Sequence, residues 1–148
     1  MSAPDNASDK KAHDWQPLWA RLNDGEETPP AGILMTAPPG EVNGAPPLAS
    51  EFGVLEAPLE DYDVVELVRF DRPVARGRVA FGEGFAVLGP VRAVEGDELA
   101  PDHEAVVLAR LAEEAFVEGA DIVYAPVDAG AAARYEALGW ARAGELAP

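Results

Sequence analysis

The phenol of Tyr135 stands in the stretch "ARYEALGW", Ala133–Trp140, where a short helical pattern stops at Gly139 with an aromatic behind it. A phenol with a pKa near 10 stays protonated at neutral pH and can hand its proton to a leaving group. Tyr135 is therefore either the acid of a transfer reaction or a core tyrosine, its ring packed on a sheet and its hydroxyl bonded to backbone or water. The other concentration of chemistry is basic. Arg69, Arg72, Arg76, Arg78 and Arg92 fall within 24 residues that hold only two acids. They read either as cross-strand partners of Glu66 and Glu83 on a solvated sheet face, or as a cationic strip for phosphates or an acidic substrate. Glu66 and Glu83 are also the candidate general bases, because they lie on or beside the same strands. The chain has no cysteine, and His13 and His103 are 90 residues apart, so a zinc site is not expected.

These residues need elements to hold them. "DVVELVRF" (Asp63–Phe70) is rich in β-branched residues and reads as a strand. "VARGRVAF" (Val74–Phe81) alternates, with Arg76 and Arg78 on one face. "FAVLGPVRAV" (Phe85–Val94) completes a meander, and Gly89–Pro90 within it predicts a bulge or an edge, since proline donates no ladder hydrogen bond. Pro101 opens the clearest helix, with Asp102 and Glu104 at its electropositive end and Gly119 as its stop. "DIVYAPV" (Asp121–Val127) reads as a buried strand, parallel to the strand before the helix by a right-handed crossover. Asp128 is placed to cap a helix over Ala129–Leu138, and "WARAGEL" is a short last strand.

Residues 1–50 differ in kind. The segment 28–50 is dense in proline and glycine and is expected to lack regular structure; residues 1–12 are expected to be disordered. Within this tail, Trp15, Leu18, Trp19 and Leu22 share one helical face, with Pro17 at the first position. That helix, 15–22, either docks on the protein's own core, the reading favoured here, or is offered to a partner. The organisation expected is a tail over 1–50 and a domain over 51–148.

The net charge of −16, from 27 acids and 11 bases, argues against nucleic acid and against anionic membranes as partners. No apolar run reaches the roughly 20 residues of a membrane span. No signal-peptide pattern opens the chain. The expectation is a soluble cytoplasmic protein.

The order of elements, together with "DAGAAARYEALGW", resembles the C-terminal half of the GNAT-type N-acetyltransferase superfamily, over roughly Asp63–Leu146. Members commonly end their core on N-x-x-A-x-x-x-Y-x-x-x-G-F; here Asp128, Ala131, Tyr135, Gly139 and Trp140 take those places. The resemblance implies an α/β (α+β) fold, a mixed and mainly antiparallel sheet flanked by helices. It implies acetyl-CoA as co-substrate, lying in a gap opened by a bulged strand, with backbone near Val91, Ala93 and Val94 facing the pantetheine arm and Asp128 beside it. It implies Tyr135 as the acid that protonates the departing thiolate. The family's diphosphate loop would fall at Leu99–Glu104, "LAPDHE", which has neither glycine nor arginine. Asp102 and Glu104 there predict weak binding of CoA. Two functions follow: acetyl transfer to an amine on a small molecule or protein, or a non-catalytic interaction module that has lost CoA. With only eight residues after Trp140, a sheet edge is expected to pair in a homodimer or to be covered by residues 30–58.

Overall fold

The computed structural model describes residues 14–23, 32–94 and 98–146. The expected disorder of residues 1–12 lies outside them. Among the described residues three α-helices, α1 (Gln16–Leu22), α2 (Pro101–Val117) and α3 (Ala132–Ala137), flank a single sheet. Its strands are β1 (Gly32–Ala37), β2 (Phe52–Pro58), β3 (Asp63–Arg69), β4 (Arg72–Phe81), β5 (Phe85–Leu88), β6 (Arg92–Ala93), β7 (Ile122–Val127) and β8 (Ala141–Leu146). They lie in the order β2-β3-β4-β5-β7-β1-β8, and β6 pairs with β4. All pairings are antiparallel except β5 with β7. This is the mixed, mainly antiparallel sheet flanked by helices that the sequence predicts. Among the described residues no helix is long and apolar enough to cross a membrane.

The division at residue 50 does not hold. Gly32–Ala37 was expected to lack regular structure, yet it forms β1 in the interior of the sheet, bonded to β7 on one side and β8 on the other. The prolines of this segment flank the strand instead of interrupting it: Pro29 and Pro30 precede it, and Pro38 and Pro39 follow. Ile33, Met35 and Ala37 alternate into the core, with Met35 wholly buried. A proline outside a strand costs its ladder nothing. A 3₁₀ turn at Pro39–Glu41 follows. β2, also unforeseen, is an edge strand with mostly exposed side chains.

α1 docks on its own sheet. Leu18, Trp19 and Leu22 are buried against Ala80, Val87 and Tyr124, and Arg78 Nη1 donates to the Leu22 carbonyl (2.9 Å), satisfying one orphan acceptor of the helix end. The opposite face carries the larger core, where Val107, Leu108 and Leu111 of α2 meet Val65, Leu67, Val79 and Leu88. Gly77 makes that approach close: a Cβ there would lie 2.7 Å from Leu111 Cδ1 and 2.9 Å from Val107 Cγ1.

Where α2 passes β2, carboxylates crowd. Arg110 pairs with Glu56 (2.8 Å) and Glu113 (3.2 Å). Glu114 is pushed up to about 7, by burial first, then by its hydrogen bond to Glu56 and the charges of Glu56, Asp63 and Glu118. Asp63 is raised as well, chiefly by burial. A carboxyl raised on folding binds a proton more tightly in the folded state between its unfolded and folded pKa values. Stability from this group is therefore present at low pH and is lost as pH rises from 4.5 through about 7. Glu114→Gln should raise the unfolding free energy at pH 8 by about 1 kcal/mol, after discounting for solvent screening. At pH 5 it should change little. Urea titrations of both proteins at the two pH values check this; equal effects at both would remove the carboxyl from the account.

Candidate functional site

β5 and β7 run side by side only through Phe85↔Ile122, Ala86↔Val123 and Val87↔Tyr124. Beyond Leu88 the chain turns away. Leu88 faces Val79 on β4, but Arg92 faces Arg76: four steps of chain lie opposite three. The extra residue is the bulge that Gly89–Pro90 predicts. With β6 drawn back onto β4, the described residues leave a cleft of ≈ 630 Å³ beside the end of β7.

Tyr135, Asp128, Val91, Glu104 and Arg134 line this cleft, with Trp19 and Asn23 of the α1 segment at its side. Tyr135 is 3% exposed, and its ring meets Trp140 edge-on at 5.5 Å. Gly139, at φ +100°, makes the turn between the two aromatics, and a Cβ there would lie 2.3 Å from the Glu41 carbonyl oxygen. Burial, and next the Glu104 carboxylate, hold the Tyr135 hydroxyl well above the ordinary phenol range. It therefore keeps its proton through neutral and mildly alkaline pH. The indole N–H of Trp140 is buried without a hydrogen-bond partner among the described residues.

Of the backbone groups expected to face an arm in the cleft, only Val91 lines it. Ala93 pairs with Ala75, and the Val94 N–H donates to the Val74 carbonyl (3.1 Å). Both residues line a neighbouring cleft instead, because the chain past the bulge rejoins β4. Asp128 lines the cleft, but its side chain does not cap the following turn. Its carbonyl takes the Ala131 N–H, and Ala129–Ala131 is a 3₁₀ turn before α3 begins.

The general-base candidates are not in the cleft. Glu66 is bound to Arg76 Nε at 2.9 Å, as the cross-strand reading expects. Glu83 sits in the β4–β5 turn, at the end of β5 away from the bulge. Arg69 pairs with Glu51 rather than with either of them.

Glu104 plays a part that its place in the sequence hides. It is 6% exposed, at the start of α2, and its carboxylate receives both Arg134 Nε (2.9 Å) and Arg134 Nη2 (3.3 Å). Arg134, next to Tyr135 on α3, thus brings a guanidinium to the cleft wall. Thirty residues separate the pair, so no local motif announces it.

A solved structure, a GCN5-related N-acetyltransferase from Kribbella flavida, superposes on this chain with a TM-score of 0.64 at 18% identity. The match covers 78% of this chain and 56% of that one. The chain thus has the GNAT-type fold. Neither a family model nor a curated protein matches its sequence.

Proposed function

We propose that this protein is an N-acetyltransferase that moves an acetyl group from acetyl-CoA to an amine. The observation that carries this reading is the cleft at the parting of β5 and β7, with a buried, protonated tyrosine in its wall. The cleft suits a narrow thioester arm, and Val91 and Asp128 would flank it. The amine nitrogen attacks the thioester carbonyl carbon, and the carbon–sulfur bond breaks with its electron pair leaving on sulfur. Tyr135 supplies the proton to that sulfur, and the proton lost by the amine restores the phenol. Net, an amide and a thiol replace an amine and a thioester.

The head-group end is less accommodating. The first turn of α2 bears Asp102 and Glu104 where a diphosphate would use helix N–H groups. Two guanidiniums among the described residues line the cleft, Arg92 at the bulge and Arg134 on α3, and Glu104 holds Arg134. Glu104→Gln leaves Arg134 with its full charge and should tighten acetyl-CoA by about 0.3–1 kcal/mol, roughly twofold to fivefold. Calorimetric titration of both proteins measures it; looser binding in the variant would mean that the pair orders Arg134 for its ligand. The reading as a whole is tested by release of free thiol from acetyl-CoA with an amine present. If acetyl-CoA neither binds nor turns over, the interaction-module reading takes its place.

A further inference from the structure

On the α1 side of the bulge lies a second cleft of ≈ 380 Å³, lined by Arg76, Arg78, Arg92, Gly77, Gly89 and Asn23. Its cationic character is built into the strand register. Arg76 faces Arg92 directly across β4 and β6, and Arg78 lies two residues along β4, on the same face as Arg76. Like charges directly opposite on a sheet are destabilising. Among the described residues one carboxylate answers these three guanidiniums: Glu66, on Arg76. Arg78 spends one N–H on the Leu22 carbonyl and lies 4.9 Å over the Tyr62 ring, which fixes it without neutralising it. Arg92 is exposed and has no ion-pair or hydrogen-bond partner among the described residues. A chain with net charge −16 has acids to spare for three arginines, yet among the described residues two of these lack a carboxylate.

The second cleft adjoins the first. Asn23, Pro90 and Arg92 line both. A molecule held in the arginine cleft would touch residues that also border the space beside Tyr135. We infer that the arginine cleft is an anion subsite for the acceptor, taking the carboxylate of an amine that also bears one or two carboxylates. Arginine forks bind carboxylates through paired, charge-assisted hydrogen bonds, and Arg76 and Arg78 line this cleft and not the one assigned to the thioester. The acceptor role rests on the acetyl-transfer reading; the anion subsite does not.

Two measurements on the full chain keep these apart. Succinate, titrated at low ionic strength into the ¹⁵N-labelled protein, should shift the amides of Gly77, Gly89 and Arg92, and Arg92→Gln should loosen it about tenfold. Absence of those shifts, as when the chain's own acids already fill the cleft, overturns the subsite. Rates of acetyl transfer to β-alanine and to propylamine, which differ by a carboxylate, should favour β-alanine by about tenfold. That ratio should collapse in Arg92→Gln and in Arg76→Gln. A ratio near one in the unaltered protein overturns the acceptor role. Succinate shifts without transfer to either amine would uphold the anion subsite and sink the acetyl-transfer reading alone. Loss of CoA affinity in Arg92→Gln with succinate inert would reassign the arginines to the donor and overturn the inference.

Discussion

Deleting residues 1–37 is expected to leave no folded domain. The deletion removes α1 and β1, and β1 lies between β7 and β8 with a ladder on each side. Without it β8 has no place in the sheet, and the inner edge of β7 is bare. The apolar loss is also large: Leu18, Trp19, Leu22, Ile33 and Met35 are all buried. At about 1.5–3 kcal/mol for each large side chain, their sum is comparable to the roughly 5–15 kcal/mol that holds a domain of this size together. The deleted chain should show no cooperative unfolding transition by circular dichroism, or should come out of the cell insoluble. A milder probe is Met35→Ala, expected to cost about 2–5 kcal/mol as a buried truncation. A soluble, cooperatively melting 38–148 fragment would show that β1 is an accessory and would restore the division at residue 50.

What the sequence revealed and what it hid follow from the range of each interaction. The β3–β5 meander, α2, β7 and β8 are legible because their signals are local: alternation, a proline at a helix start, a glycine at its end. The bulge is legible for the same reason, since Gly89–Pro90 breaks a ladder wherever it falls. β1 is not, because the prolines around "GILMTA" dominate its composition, although Ile33, Met35 and Ala37 carry a clean two-residue period. That period, weighed apart from the flanking prolines, was the signal available. In the site, Tyr135 and Asp128 are visible as a spacing. The Glu104–Arg134 pair joins two helices and appears only once β7 brings them together. The place of Ala93 and Val94 also needed the register, since a one-residue slip at the bulge decides which cleft they face.

Tyr135→Phe should lower acetyl transfer by about 10²–10⁴-fold, the usual worth of a positioned general acid, while leaving acetyl-CoA affinity within a factor of a few. The change removes one hydroxyl and keeps the ring, so the edge-on contact with Trp140 at 5.5 Å and the packing against the core persist. Melting temperature should therefore move little, which separates lost chemistry from lost fold. The pH dependence adds a second check. Because burial holds the Tyr135 proton above the ordinary phenol range, ionisation of Tyr135 should not limit the unaltered protein below about pH 10. An alkaline decline nearer pH 8 would have to come from another group and would persist, scaled down, in the variant. The alternative acid is water, for which the cleft of ≈ 630 Å³ has room, whereas Tyr135 is a fixed donor in its buried wall. A donor already aimed at the departing thiolate needs no reorganisation as charge develops on sulfur, which is what a fixed phenol offers over water. Thiol release in Tyr135→Phe that matches the unaltered protein across pH 6–9, with the fold intact, would remove Tyr135 from the reaction and leave it a core tyrosine.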